Sequence, residues 1–288
     1  MADIKASDVK ALREKTGAGM MECKNALVET NGDFAAAEKL LKEKGLAALE
    51  KRAGRATNEG KIFVKKDGDG GPGSNAVLVE MASETDFVAR NPEFIALGQM
   101  IVDEALAKKH EEPTAALHDK VAELATKIRE NMSLKRLKAV HAGSNEILST
   151  YIHGDGAIGV VVKMSADKAE ALANEEVKAL CFSLALHVAA FNPMYLDRGK
   201  VDAGWLAEQE DIFRKQMEQD ESMQGKPANV VDNILKGKVN KYLKDICMMD
   251  QGYVKDEKQT VTQVLAETGK KVGATLAVTE YVYFRVGE

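Results

Sequence analysis

In the first 45 residues, apolar side chains recur at three- and four-residue intervals: Val9 and Leu12, then Cys23 and Leu27, then Phe34, Ala37, Leu40 and Leu41. That spacing gathers each set on one face of a helix. Ser7 is placed to cap the first helix, and Thr16-Gly17-Ala18-Gly19 breaks it. Asn31-Gly32 stops the second, Asp33 caps the third, and Gly45 is expected to end it. Three such short helices make a marginal core alone and read as a recognition module.

The pattern then changes to strands and repeats itself. Lys61-Ile62-Phe63-Val64 and Ala76 to Met81 flank a glycine-rich turn, and Leu148 to Ile152 and Gly159 to Met164 flank His153-Gly154-Asp155-Gly156. Val77-Leu78-Val79-Glu80-Met81 lies over Val160-Val161-Val162-Lys163-Met164 at an offset of 83 (163 − 80). The same offset carries Phe94, Leu97 and Ile101 onto Val177, Leu180 and Leu184. Two strands followed by a helix, recurring at one offset, indicate a duplicated α+β subdomain.

Between the copies, Lys108 to Ala142 is charged and reads as largely helical, with Leu117, Val121, Leu124 and Ile128 as its stripe. From about Asp197 to Gln251, Trp205, Ile212, Phe213 and Met217 line one helix. After Gly225-Lys226-Pro227, Val230, Ile234, Val239, Leu243 and Ile246 line its return. This antiparallel, coiled-coil-like helical hairpin suits packing against a partner or its twin. Thr275 to Val286 is a β-rich run expected to close the second sheet. The expected organisation is an α+β chain in three parts: 1–55 as the helical module, 56–146 as the first core subdomain, and 147–288 as the second, with the hairpin inserted at about 197–251.

Composition narrows the chemistry. The net charge of −5 argues against a nucleic acid backbone as the main partner. Cys23, Cys181 and Cys247 are far apart and form no disulfide framework or zinc pair, so a reducing cytoplasm is the expected compartment. The N-terminus has no signal character, and no apolar run approaches the roughly 20 residues of a membrane span.

The candidate motifs are mostly negative. Gly68-Asp69-Gly70-Gly71-Pro72-Gly73 matches G-x-G-x-x-G by letter, but a strand follows it where a dinucleotide site needs a helix, so it reads as a hairpin loop. No P-loop, H-E-x-x-H or G-x-S-x-G motif occurs, and the five histidines show no metal-ligand spacing. No cofactor and no covalent catalysis are expected. His187, near the end of an apolar helix, reads as a core histidine or as a contact at the helix end. Phe87 stands alone in the polar stretch Ser83-Glu84-Thr85-Asp86. At the offset of 83, Thr85-Asp86-Phe87-Val88 falls on Lys168-Ala169-Glu170-Ala171, which has no aromatic. The subdomain therefore does not need a Phe there, and Phe87 reads as aimed outward.

Leu12-Arg13-Glu14-Lys15-Thr16-Gly17-Ala18-Gly19-Met20-Met21-Glu22-Cys23-Lys24 resembles the N-terminal motif of the elongation factor Ts family, and Thr85-Asp86-Phe87-Val88-Ala89 resembles its core motif. His187-Val188-Ala189-Ala190 and Gly225-Lys226-Pro227 resemble two more, in the family's order along nearly the whole chain. The resemblance implies a nucleotide exchange factor for elongation factor Tu, the GTPase that delivers aminoacyl-tRNA to the ribosome. It implies an N-terminal module similar to ubiquitin-associated domains, with Arg13, Met20 and Met21 touching the nucleotide domain of the GTPase. Thr85, Asp86, Phe87 and Val88 would reach the region beside the bound Mg²⁺, with Phe87 as a wedge. Ile158, Gly159 and His187 would meet another domain, and the hairpin of family members can mediate homodimerisation. Known members continue with a further helix after a similar ending, whereas this chain stops at Glu288, so no C-terminal helix contact is carried over. The rival readings are a non-catalytic scaffold and a small-molecule enzyme built on the Gly68 loop.

Overall fold

A computed structural model describes residues 4–223 and 225–288. Helices α1 (Ala6–Thr16), α2 (Met20–Glu29) and α3 (Phe34–Glu50) enclose Leu12, Cys23, Ala26, Leu27 and Ala37. Gly17, left-handed at φ 68°, ends α1. Two expectations need correction. Ser7 lies inside α1, which begins at Ala6 without a side-chain cap. Gly45 does not end α3. A Cβ on it would stand 2.3 Å from the Thr126 methyl, so its missing side chain lets α3 run closely past its neighbour.

Strands β1 (Glu59–Lys66), β2 (Asn75–Ser83) and β3 (Met132–His141) form an antiparallel sheet in that order. Helices α4 (Asp86–Ala89), α5 (Pro92–Lys108) and α6 (Ala115–Ile128) connect β2 to β3. Thr126 belongs to α6, so the N-terminal helices rest on this subdomain, and Leu49 of α3 packs against its core. The strand β3 corrects the helical reading of 108–142. A bulge between Glu80 and Met81 sets Leu134 against Met81 and Leu137 against Val79. Two inward residues thus stand three apart, which is helical spacing in a strand.

The second half runs β4 (Glu146–His153), β5 (Ile158–Ala166), α7 (Glu175–Phe191), α8 (Ala203–Glu218), α9 (Ala228–Ile246), β6 (Gly252–Tyr253), β7 (Asp256–Thr260), α10 (Val261–Val272) and β8 (Leu276–Arg285). Its main sheet is β4-β5-β8, so the final run does close it. β2 and β5, their bulges, and α5 and α7 all stand 83 residues apart (158 − 75, 163 − 80, 175 − 92). Asn91 and Asn174 cap the two helices alike, each accepting an N–H at 2.8 Å. α10 occupies the place of α6 and had no counterpart among the sequence expectations. Its Thr260 and Gln263 form a capping box that marks the start in the sequence.

The sheets meet face to face through Ile62, Leu78 and Val140 on one side and Leu148, Val161 and Phe284 on the other. Each bulge carries a charge, of opposite sign in the two halves, buried in the first and half-buried in the second. Glu80, fully buried and opposite Arg136, pairs with it and with Lys135 at 3.6 Å. Lys163, opposite Glu280, pairs with it at 2.9 Å and with Glu146 at 3.9 Å.

α8 and α9 form the inserted hairpin around Met217, Leu235, Val239 and Leu243, with Trp205, Phe213 and Tyr242 in ring contact. Ile212 and Val230 remain exposed, so its apolar stripe is not fully covered. At its neck, Met194 and Tyr195 N–H donate to Ile246 O (2.9 and 3.1 Å), and Met248 N–H donates to Tyr195 O (2.9 Å). No helix among the described residues is long and apolar enough to cross a membrane.

Candidate functional site

The polar stretch after β2 folds as a single helical turn. Thr85 caps α4, its hydroxyl accepting from Val88 N–H at 3.4 Å. Val88 and Ala89 are buried in the first core, and Asp86 pairs with Arg90 at 3.2 Å. With its neighbours anchored inward, Phe87 points out and is 81% exposed. An aromatic so exposed beside a packed core is suited to burial against another surface.

Two carboxylates cross-link this turn to the α6–β3 connection. Glu130 accepts from Thr85 N–H at 3.2 Å and from its hydroxyl at 2.9 and 3.1 Å. Glu84 accepts from Asn131 N–H at 2.6 Å and faces the Arg55 guanidinium at 3.3 Å. The Asn131 N–H, aided by Arg55, holds the Glu84 carboxyl below its ordinary value. The Asn131 amide donates to Arg55 O at 2.8 Å and Ala53 O at 3.4 Å, which ties down the segment leaving α3. Glu84, Arg55, Glu130 and Asn131 were not singled out from sequence, because contacts across 45 residues leave no local signal.

Arg13 is exposed on α1, and Met20 and Met21 are 45% and 63% exposed in the first turn of α2. The next residue, Glu22, accepts from Gly19 N–H at 2.9 Å and ion-pairs with Arg129. The exposed methionines and the exposed Phe87 are therefore both tied to the three residues 129–131.

Ile158 is half-buried at the start of β5. Gly159 lies between the sheets, where a Cβ would come 2.4 Å from an Ile62 methyl. His187 is fully buried, which favours the core histidine over the contact side chain at an exposed helix end. Its Nε2–H donates to Gln251 Oε1 at 2.9 Å, and Nδ1 has no partner. Burial lowers its pKa from 6.5, opposed by the Gln251 bond, so the neutral ring is favoured.

The Gly68–Gly73 segment joins β1 to β2, as the hairpin reading expects. The cavity beside it, lined by Asp69, Gly70, Lys178 and Cys181, holds about 50 Å³. Ligand pockets run to roughly 300–1,000 Å³. Burial pushes the Cys181 thiol up to about 12, which removes it as a nucleophile. No group of three or more His, Cys, Asp or Glu side chains among the described residues could hold a metal.

A sequence profile described as Elongation factor TS matches residues 84–288, beginning at the Glu84 cross-link. An elongation factor Ts of Treponema denticola is 49% identical over 99% of both chains. The chain belongs to the elongation factor Ts family. Elongation factors Ts of Clostridium acetobutylicum and Desulfovibrio desulfuricans are each 38% identical, covering 99% and 98% of this chain and 93% and 97% of their own. These relatives also span the N-terminal helices that the profile leaves out. Members of the elongation factor Ts family are translation elongation factors.

Proposed function

We propose that this protein is a guanine nucleotide exchange factor for elongation factor Tu, which acts by inserting Phe87 beside the Mg²⁺ and phosphates of bound GDP. The observation that supports it is the 81% exposed Phe87 on a turn anchored at both ends, in a chain of this family. Burying such a ring on a partner supplies about 1.5–3 kcal/mol. Each 1.4 kcal/mol spent on displacing the nucleotide weakens it tenfold. Magnesium tolerates little departure from octahedral geometry, so a small displacement of its surroundings removes several contacts together. By linkage, GDP weakens the factor's binding as much as the factor weakens that of GDP.

In this reading the N-terminal bundle is the ubiquitin-associated-like module of the family and docks through Arg13, Met20 and Met21. A duplicated core presents Thr85 to Val88 after β2 and Ile158 at the start of β5, with Gly159 and His187 supporting the second surface from inside. The hairpin is proposed as a surface for a second copy. No covalent chemistry is required in this reading.

The test preloads elongation factor Tu with a fluorescent GDP analogue and follows its release. The parent protein is expected to accelerate release strongly. Phe87→Ala is expected to lose about tenfold or more, with its melting temperature retained. A parent that leaves the release rate unchanged would refute the exchange reading.

A further inference from the structure

We propose, on the assignment of Phe87 made above, that Glu130 is a positioning residue for nucleotide exchange, holding the Phe87 turn in its outward orientation through Thr85. The two halves of the molecule supply an internal control. Glu84 corresponds to Asp167 at the offset of 83, and Asn131 to Thr275 along the paired strands β3 and β8. Asn131 N–H donates to Glu84 at 2.6 Å, and Thr275 N–H donates to Asp167 at 2.7 Å. That half of the cross-link is common to both copies and closes the end of the strand pair.

The other half is not shared. In the second copy, Ala274 stands where Glu130 does and Lys168 where Thr85 does. The Lys168 ammonium reaches Gly273 O at 2.6 Å, and its turn has no side-chain cap. A carboxylate that grips the turn through both an N–H and a hydroxyl is present only in the copy that carries an exposed aromatic. The fold of the copy without the aromatic is complete in its absence.

Physical need points the same way. A helix of four residues has almost no stability of its own, and the Thr85 cap to Val88 N–H is long at 3.4 Å. A large exposed side chain on such a turn would sample many directions. Glu130 fixes Thr85 at two atoms at the start of the turn, while Val88 and Ala89 fix its end in the core. The wedge thus meets its partner already oriented, and less ordering is left to the moment of binding.

The test measures maximal GDP release from elongation factor Tu at saturating factor, and separately the factor concentration giving half of that rate. Glu130→Ala is expected to lower the maximal rate about tenfold, as misplacement of a working group does, while the half-saturating concentration moves less than about threefold. Glu130→Gln keeps an acceptor oxygen and is expected to recover most of the rate. Thr85→Val removes the other side of the same contact and is expected to match Glu130→Ala. Glu130→Ala added to Phe87→Ala is expected to cost nothing further, because the two act as one unit. Should Glu130→Ala not fold, Thr85→Val and Glu130→Gln carry the comparison. A full parental rate in Thr85→Val and Glu130→Ala, or losses that multiply with Phe87→Ala, would overturn the positioning role. A full parental rate in Phe87→Ala would instead overturn the assignment of Phe87, and the two failures are separately visible.

Discussion

The turn after β2 and the turn after β5 are built on the same frame. Each leaves a bulged strand, buries two residues (Val88 and Ala89, or Ala171 and Leu172), and enters a helix through an asparagine cap. Just before the buried pair each presents an exposed residue, Phe87 in the first and Glu170 in the second. The first is an α-helical turn gripped by Glu130, and the second is a 3₁₀ turn without that grip. What the two share is therefore the requirement of the fold. What only one has is the candidate for function, and the difference separates the two without reference to any other protein.

The bulges offer the strongest way to press this comparison. Glu80 has no exposure, so Arg136→Met leaves a buried carboxylate with only Lys135 and the Gly287 N–H, and is expected to cost about 3–5 kcal/mol in urea unfolding. Lys163 keeps Glu146 and some contact with water, so Glu280→Gln is expected to cost about 1 kcal/mol or less. Equal costs would show that the two bulges carry the same weight.

Exchanging the exposed residues comes next. Phe87→Glu gives the first copy the residue of the second and is expected to reduce maximal GDP release about a hundredfold without lowering the melting temperature. Glu170→Phe alone is expected to change release less than about twofold, within the range of surface substitutions. If Phe87→Glu melted many degrees early, the ring would belong to the fold and the contrast between the turns would fail.

The smallest effect is acid sensitivity, and here the copies should agree. The N–H of Asn131 and that of Thr275 are the leading causes that hold Glu84 and Asp167 below their ordinary values of 4.5 and 3.8. Each carboxylate is thus more acidic folded than unfolded. Its stabilisation is present above the ordinary value and is lost as pH falls through the folded one. Urea midpoints measured from pH 7 down to about pH 3 should fall less steeply in Glu84→Gln than in the parent. A parent and variant with parallel profiles would show that the Asn131 contact contributes no acid-dependent stability.

Much of this architecture was legible because it is written in long, uninterrupted runs. β2 with α5 and β5 with α7 could be laid over each other at one offset, and the second copy's lack of an aromatic already placed Phe87 outside. The failures have physical causes. In β3 a bulge shifted the phase of Leu134 and Leu137 and disguised a strand as a helix. Gly45 looked like a terminator because its role, close approach to Thr126, depends on a helix 80 residues away. His187 could not be placed inside or outside until Gln251, 64 residues on, was seen to cover it. The grip of Glu130 on Thr85 joins two polar residues that look like ordinary solvated surface in isolation.

The helical hairpin leaves and re-enters the second half through adjacent backbone at Tyr195 and Cys247, so both its ends are anchored at one point. A segment inserted this way behaves as a splice. Its length can change with little entropic consequence for the rest of the chain. The backbone at Gly225 has open space around it, so an affinity tag or labelled peptide inserted after it, with the glycine kept at φ 77°, meets no neighbouring residue. A reporter placed there would sit on a detachable arm, letting the core be watched while it works.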